Sequence, residues 1–113
     1  MNLTEVVRLT NATVVAGRVE SRHVDRGFCS DLLSDVLTLD TDNMLLITGM
    51  SNLQAIRTAE MADIQSILLV RGKKASSEMI QLAEESRMVI METALSMFNT
   101  AGILHGAGLK AVY

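Results

Sequence analysis

A chain of 113 residues, 49% hydrophobic and 20% charged, is long enough for one domain with its own core and too short for two, and its composition excludes a disordered polymer. A formal charge of −3 offers nothing to nucleic acid or an anionic membrane. The single cysteine, Cys29, excludes an internal disulfide and fits a reducing compartment.

The opening Met1-Asn2-Leu3-Thr4-Glu5 lacks the basic-then-apolar pattern of a secretory signal, and no apolar run is long enough to span a bilayer. The cytoplasm is the expected location. Residues 3–10 read as a short helix capped by Thr4, followed by a strand over 12–16 that Gly17 ends. A second strand is expected over 24–29. Ser30 then caps a helix through Leu37 that turns Leu32, Leu33, Val36 and Leu37 to one face.

Three continuous apolar runs follow: Met44-Leu45-Leu46-Ile47, Ser66-Ile67-Leu68-Leu69-Val70 and Met88-Val89-Ile90-Met91. Runs that do not alternate belong to strands buried on both faces, as in a parallel sheet. Between them, residues 52–63 carry Leu53, Ile56 and Ala59 at helical spacing. Residues 76–86 stripe Met79, Ile80, Leu82 and Ala83 against a wet side of Glu78, Glu84 and Glu85, with Ser76 as cap. Another helix is expected from Ser96, closed by Gly106 or Gly108. The apolar tail, 109–113, is a last strand or an arm for a second subunit. With eight Met and no Trp, the core is aliphatic and adaptable. With no Pro, turns fall to Gly, Asn, Asp and Ser. The expected fold is one α/β domain over 1–113, three layers deep, with a mainly parallel central sheet flanked by helices.

Ligands in such sheets gather outside the carboxyl ends of the strands. Two turns lie there. Thr48-Gly49-Met50-Ser51-Asn52 lacks the length and lysine of a Walker loop and the three glycines of a dinucleotide fingerprint. It reads first as a tight turn with Ser51 or Asn52 capping the next helix, and second as an anion contact on the helix's first amides. Arg71-Gly72-Lys73-Lys74 reads as a solvated basic connection, with phosphate contact as the alternative. The candidate ligand residues are therefore Thr48, Gly49, Ser51, Asn52, Arg71, Gly72 and Lys73.

His23 and His105 have no second ligand at zinc spacing; His23 is expected at the surface and His105 at a helix end, where its charge suits the dipole. Cys29 beside Phe28 is expected to be buried. Asp31 and Asp35, at i and i+4, read as the wet face of the Ser30 helix. No set of nucleophile, base and oxyanion donor is visible, so neither a catalytic residue nor a metal or cofactor is expected.

The stretch Ile67-Leu68-Leu69-Val70-Arg71-Gly72-Lys73-Lys74-Ala75-Ser76-Ser77-Glu78 leads into Leu82-Ala83-Glu84-Glu85. Then come Val89-Ile90-Met91-Glu92-Thr93 and Met97-Phe98-Asn99-Thr100-Ala101. In that order the segments resemble the DRTGG domain: a strand, a Gly then Ser-Glu turn, a Leu-Ala-Glu-Glu helix and a Thr-Phe-x-Thr-Ala ending. Ser30 to Leu37 and Leu46-Ile47-Thr48-Gly49 resemble stand-alone members. The pattern is also similar to the N-terminal domain of HPr kinase/phosphorylase. The family's naming pentapeptide is not intact; Asp25-Arg26-Gly27 is not its equivalent. The resemblance implies an accessory, regulatory or dimer-forming module without kinase chemistry, which in those relatives belongs to a separate P-loop domain. Some stand-alone relatives look associated with iron hydrogenase systems. The expected partners are thus a second copy of the chain, a metabolic or redox enzyme, and a nucleotide or anionic metabolite.

Overall fold

The computed structural model describes residues 1–113. The three apolar runs become β3 (Met44–Thr48), β4 (Ser66–Leu69) and β5 (Val89–Glu92), and every residue in them is buried. They pair side by side and parallel, joined by α2 (Leu53–Met61) and α3 (Ser77–Glu85). The sheet is completed by β1 (Thr13–Ala16), β2 (Arg26–Cys29) and β6 (Lys110–Ala111), in the order β1-β5-β4-β3-β2-β6. Only β1 runs antiparallel, along β5, and its register slips between Val14 and Ala16. The segment 24–29 therefore joins the sheet beside β3, and the tail forms the far edge by pairing with β2.

Burial on both sheet faces explains why the central strands do not alternate. Ile56, Ala59, Met79 and Ala83 of α2 and α3 pack with Leu46, Ile67, Leu69 and Ile90 on one face. On the other, α1 (Leu3–Thr10) and α4 (Met97–Gly106) bring Leu3, Val6 and Leu104 onto Leu45, Ile47, Leu68 and Val89.

Caps sit where short polar side chains meet free amides. Asn52 Oδ1 accepts from Ala55 N at 2.8 Å, Ser76 Oγ from Met79 N at 3.2 Å and Ser96 Oγ from Asn99 N at 3.1 Å. Thr4 does not cap α1. Asn2 stands at that position without a side-chain bond, and its backbone bridges to His23, so pairing sets the entry of the helix.

The Ser30 helix is also corrected. Ser30 Oγ accepts from Leu32 N at 3.0 Å, which closes a local turn, and only a 3-10 helix over Leu33–Thr38 follows. A period of three aligns Leu33 with Val36, both buried, and turns Leu32 and Leu37 out to 63% and 51% exposure. Turns are not confined to Gly, Asn, Asp and Ser: Arg71 and Arg87 take φ of 63° and 59°, a region costly for a long side chain.

Candidate functional site

The parallel strands end on one edge, and the loops leaving β2, β3, β4 and β5 meet there. The loop after β2 delivers Asp31 to the turn after β3. Asp31 Oδ1 accepts from Gly49 N at 2.7 Å and from Thr48 Oγ1 at 3.3 Å. Its other oxygen takes Arg71 Nη2, from the loop after β4, at 3.2 Å. Asp31 is therefore not on a helix face with Asp35. It is a carboxylate held by a backbone amide, a hydroxyl and a guanidinium, the donor set that suits any small oxyanion.

Local geometry holds each donor in place. Thr48 is buried, and its Oγ1 accepts from Met50 N at 3.1 Å. Gly49 is buried beneath Arg71. Arg71, in its left-handed conformation, donates its amide to Leu95 O at 2.8 Å, and Gly72 donates to Thr93 O at 3.0 Å. The loops after β4 and β5 are thus laced together. Ser51 Oγ donates to Lys74 O, tying the Gly49 turn to the basic loop.

Of the seven candidates, Thr48, Gly49 and Arg71 surround one point. Ser51 braces the turn, Asn52 caps α2 and Gly72 anchors its loop. The side chain of Lys73 stands in solvent. Lys74 is exposed as well, and its Nζ lies 3.5 Å from Glu92 Oε1.

Reading the sequence missed Asp31 as a partner and Glu92 altogether. Glu92 is 7% exposed, and its Oε2 accepts from Ala75 N at 2.7 Å just ahead of α3. A visible signal was an acid directly continuing the apolar run Val89-Ile90-Met91, since a charge there needs partners.

The remaining reactive groups lie elsewhere. His23 pairs with Asp25 at the opposite edge of the sheet, and together with a hydrogen bond from Asn43 this holds the Asp25 carboxyl below its ordinary value. That edge also opens a polar cleft of about 450 Å³ lined by His23, Asp40, Asp42 and Asp63. His105 Nδ1 lies 3.1 Å from Leu109 O. Cys29 is exposed, not buried, because its side chain points from edge-proximal β2 into a shallow cleft beside α4 and not into the core. Partial desolvation still pushes its pKa up, which keeps it a thiol at neutral pH. No helix is long and apolar enough to cross a membrane.

The DRTGG domain family model matches residues 5–107. The chain belongs to the DRTGG domain family. No curated protein sequence matches it. Among solved structures, this DRTGG chain is similar to the CBS and DRTGG domains of the regulatory region of Clostridium perfringens pyrophosphatase, crystallised with its activator diadenosine tetraphosphate. The TM-score is 0.79 at 14% identity, covering 98% of this chain and 48% of that one. At this identity the likeness establishes the fold. The chain spans about half of that regulatory region.

Proposed function

We propose that this DRTGG domain, a single helix–sheet–helix module over residues 1–113, regulates other proteins without chemistry of its own. Its control site is a small-anion receptor at the carboxyl edge of the sheet. The observation that carries this reading is the Asp31 carboxylate seated on Gly49 N and Arg71. A nucleotide or phosphorylated metabolite presents the same oxygens with more charge, and Lys73 adds positive charge beside the loop. When such a ligand takes the seat, Asp31 leaves it and frees the segment that carries Leu32 and Leu37.

These two side chains line an apolar groove of about 440 Å³ with Met50 and Met61, the surface on which a metabolic or redox enzyme would dock. Self-association and docking form the second reading, favoured by the 90% exposure of Phe98. The likeness to the N-terminal domain of HPr kinase/phosphorylase supplies a precedent for such a module beside a separate catalytic domain, in the cytoplasm.

A thermal-shift panel of nucleotides, dinucleoside polyphosphates and phosphorylated metabolites tests the receptor, because a ligand that binds only the folded state must stabilise it. The expected result is a shift with one ligand class, lost in Arg71→Ala and enlarged in Asp31→Asn, where the competing carboxylate is gone. A flat panel on well-folded protein overturns it.

A further inference from the structure

The cleft of about 450 Å³ at the amino ends of the parallel strands falls within the roughly 300–1,000 Å³ of small-molecule sites. Its walls are tied in place. Thr41 Oγ1 donates to Ala62 O, which clasps the loop before β3 to the loop after α2. Across from them, Arg22 donates to Arg87 O at 2.8 Å and to Gln65 Oε1 at 3.4 Å. Ser66, the first residue of β4, lies in the floor, buried with Val24 and Met44 and flanked by Leu45 and Val89 of the neighbouring strands.

Two independent observations point to a ligand there. Ser66 is only 4% exposed, yet its hydroxyl has no hydrogen bond within the chain. Buried polar groups nearly always have a partner, and alanine would fill the same place without that cost. The charges on the walls are also left unmatched. Asp40 is engaged by Arg26 at 3.4 Å, and Asp25 by His23 and Asn43. The carboxylates of Asp42 and Asp63 have neither an ion pair nor a hydrogen bond, and Arg22 has no acidic partner. No three His, Cys, Asp or Glu side chains come close enough together to hold a metal ion. The complement of these walls is therefore an organic ammonium, and a polyphosphate would be repelled.

We propose that this cleft binds a free diamino acid of the size and charge of lysine. Its two ammonium groups match Asp42 and Asp63, and its carboxylate matches the guanidinium of Arg22. Ser66 accepts a charge-assisted hydrogen bond from the ammonium that reaches the floor. The site differs from the carboxyl-edge seat both in place and in the charge it selects, and it stands whether or not that seat binds anions. Asp42 and Asp63 are exposed, so their attraction is screened by salt. Binding is therefore weak, and the buried hydroxyl supplies the selectivity.

Titration of the isotope-labelled protein with L-lysine, followed through its amide resonances, tests the proposal. Saturable shifts confined to residues 41–43 and 63–66 are expected. Binding should weaken about fivefold in Ser66→Ala, the worth of one hydrogen bond, and should also weaken in Asp63→Asn, with the circular dichroism of both variants unchanged. Cadaverine, which is lysine without its carboxylate, is expected to bind less tightly than lysine. Equal binding of cadaverine overturns the amino-acid assignment. Shifts that spread over the acidic surface and vanish at physiological salt, or lysine binding unchanged in Ser66→Ala, overturn the site. A Ser66→Ala protein less stable in urea than wild type overturns it as well, because the hydroxyl would then have a partner within the fold.

Discussion

The guanidinium of Arg71 lies across the α-carbon of Gly49, so that a Cβ at Gly49 would stand 2.1 Å from Nη2 and 2.7 Å from Cζ. No side chain fits there unless Arg71 moves. Arg71 is the flexible party, and its ion pair with Asp31 is half exposed, so it adds little stability. Gly49→Ala is therefore expected to unfold in urea within about 1 kcal/mol of wild type while it moves Arg71 away from Asp31 and the proposed anion seat. Ligand response in a thermal-shift assay should fall as far as in Arg71→Ala, and the double variant should lose no more than either single one, since both break one arrangement. Additive losses would mean that Gly49 and Arg71 act separately.

Gly17 is the opposite case. Its φ is +74°, and a Cβ would meet Met88 O at 2.5 Å. Here the obstacle is the backbone leading into β5, which cannot swing away. Left-handed strain and the clash add, so Gly17→Ala should cost roughly 2 kcal/mol or more. It should lower the urea midpoint at unchanged slope. A midpoint equal to wild type would show that the β1 edge yields freely.

The central fold was legible because burial on both faces writes itself as unbroken apolar runs, and because Asn52, Ser76 and Ser96 stand immediately before helical stripes. The stretch 30–38 was not. Its composition suits an α-helix, but Ser30 closes on Leu32 and the chain tightens to a three-residue period, a local competition that spacing does not reveal. The site was half legible for a related reason. Thr48, Gly49 and Arg71 follow core strands and so fall at the sheet's carboxyl edge, whereas Asp31 reaches them across 18 and 40 residues. Such a contact depends on β2 lying beside β3, and strand order is not written in periodicity.

Cys29 offers a test of environment against exposure. Its thiol is accessible at the mouth of the cleft beside α4, while the surrounding protein raises its pKa above the ordinary thiol value. The thiolate is the nucleophile, so alkylation by iodoacetamide at neutral pH is expected to run slower than for an unfolded control and to catch up as pH rises beyond the ordinary thiol range. A rate at neutral pH equal to or above the unfolded control would contradict the burial effect.

Asp25 carries the clearest pH signature. The hydrogen bond from His23 is the largest influence, joined by the charge of His23 and the bond from Asn43, and together they lower its pKa below 3.8 despite partial desolvation. Favouring the ionised form in the folded state means that folding gains from Asp25 above the ordinary carboxylate range. That gain disappears as pH falls through the lowered folded value, where the carboxylate takes a proton. His23→Ala removes the main cause, and so the Asp25 carboxyl resonance should titrate at higher pH than in wild type. The difference in thermal midpoint between the two proteins should narrow on acidification below pH 3.8. The pair is exposed, so the effect is small and is best read from the resonance. If the Asp25 titration stayed where it was in His23→Ala, Asn43 and not His23 would be the group that holds the carboxylate ionised.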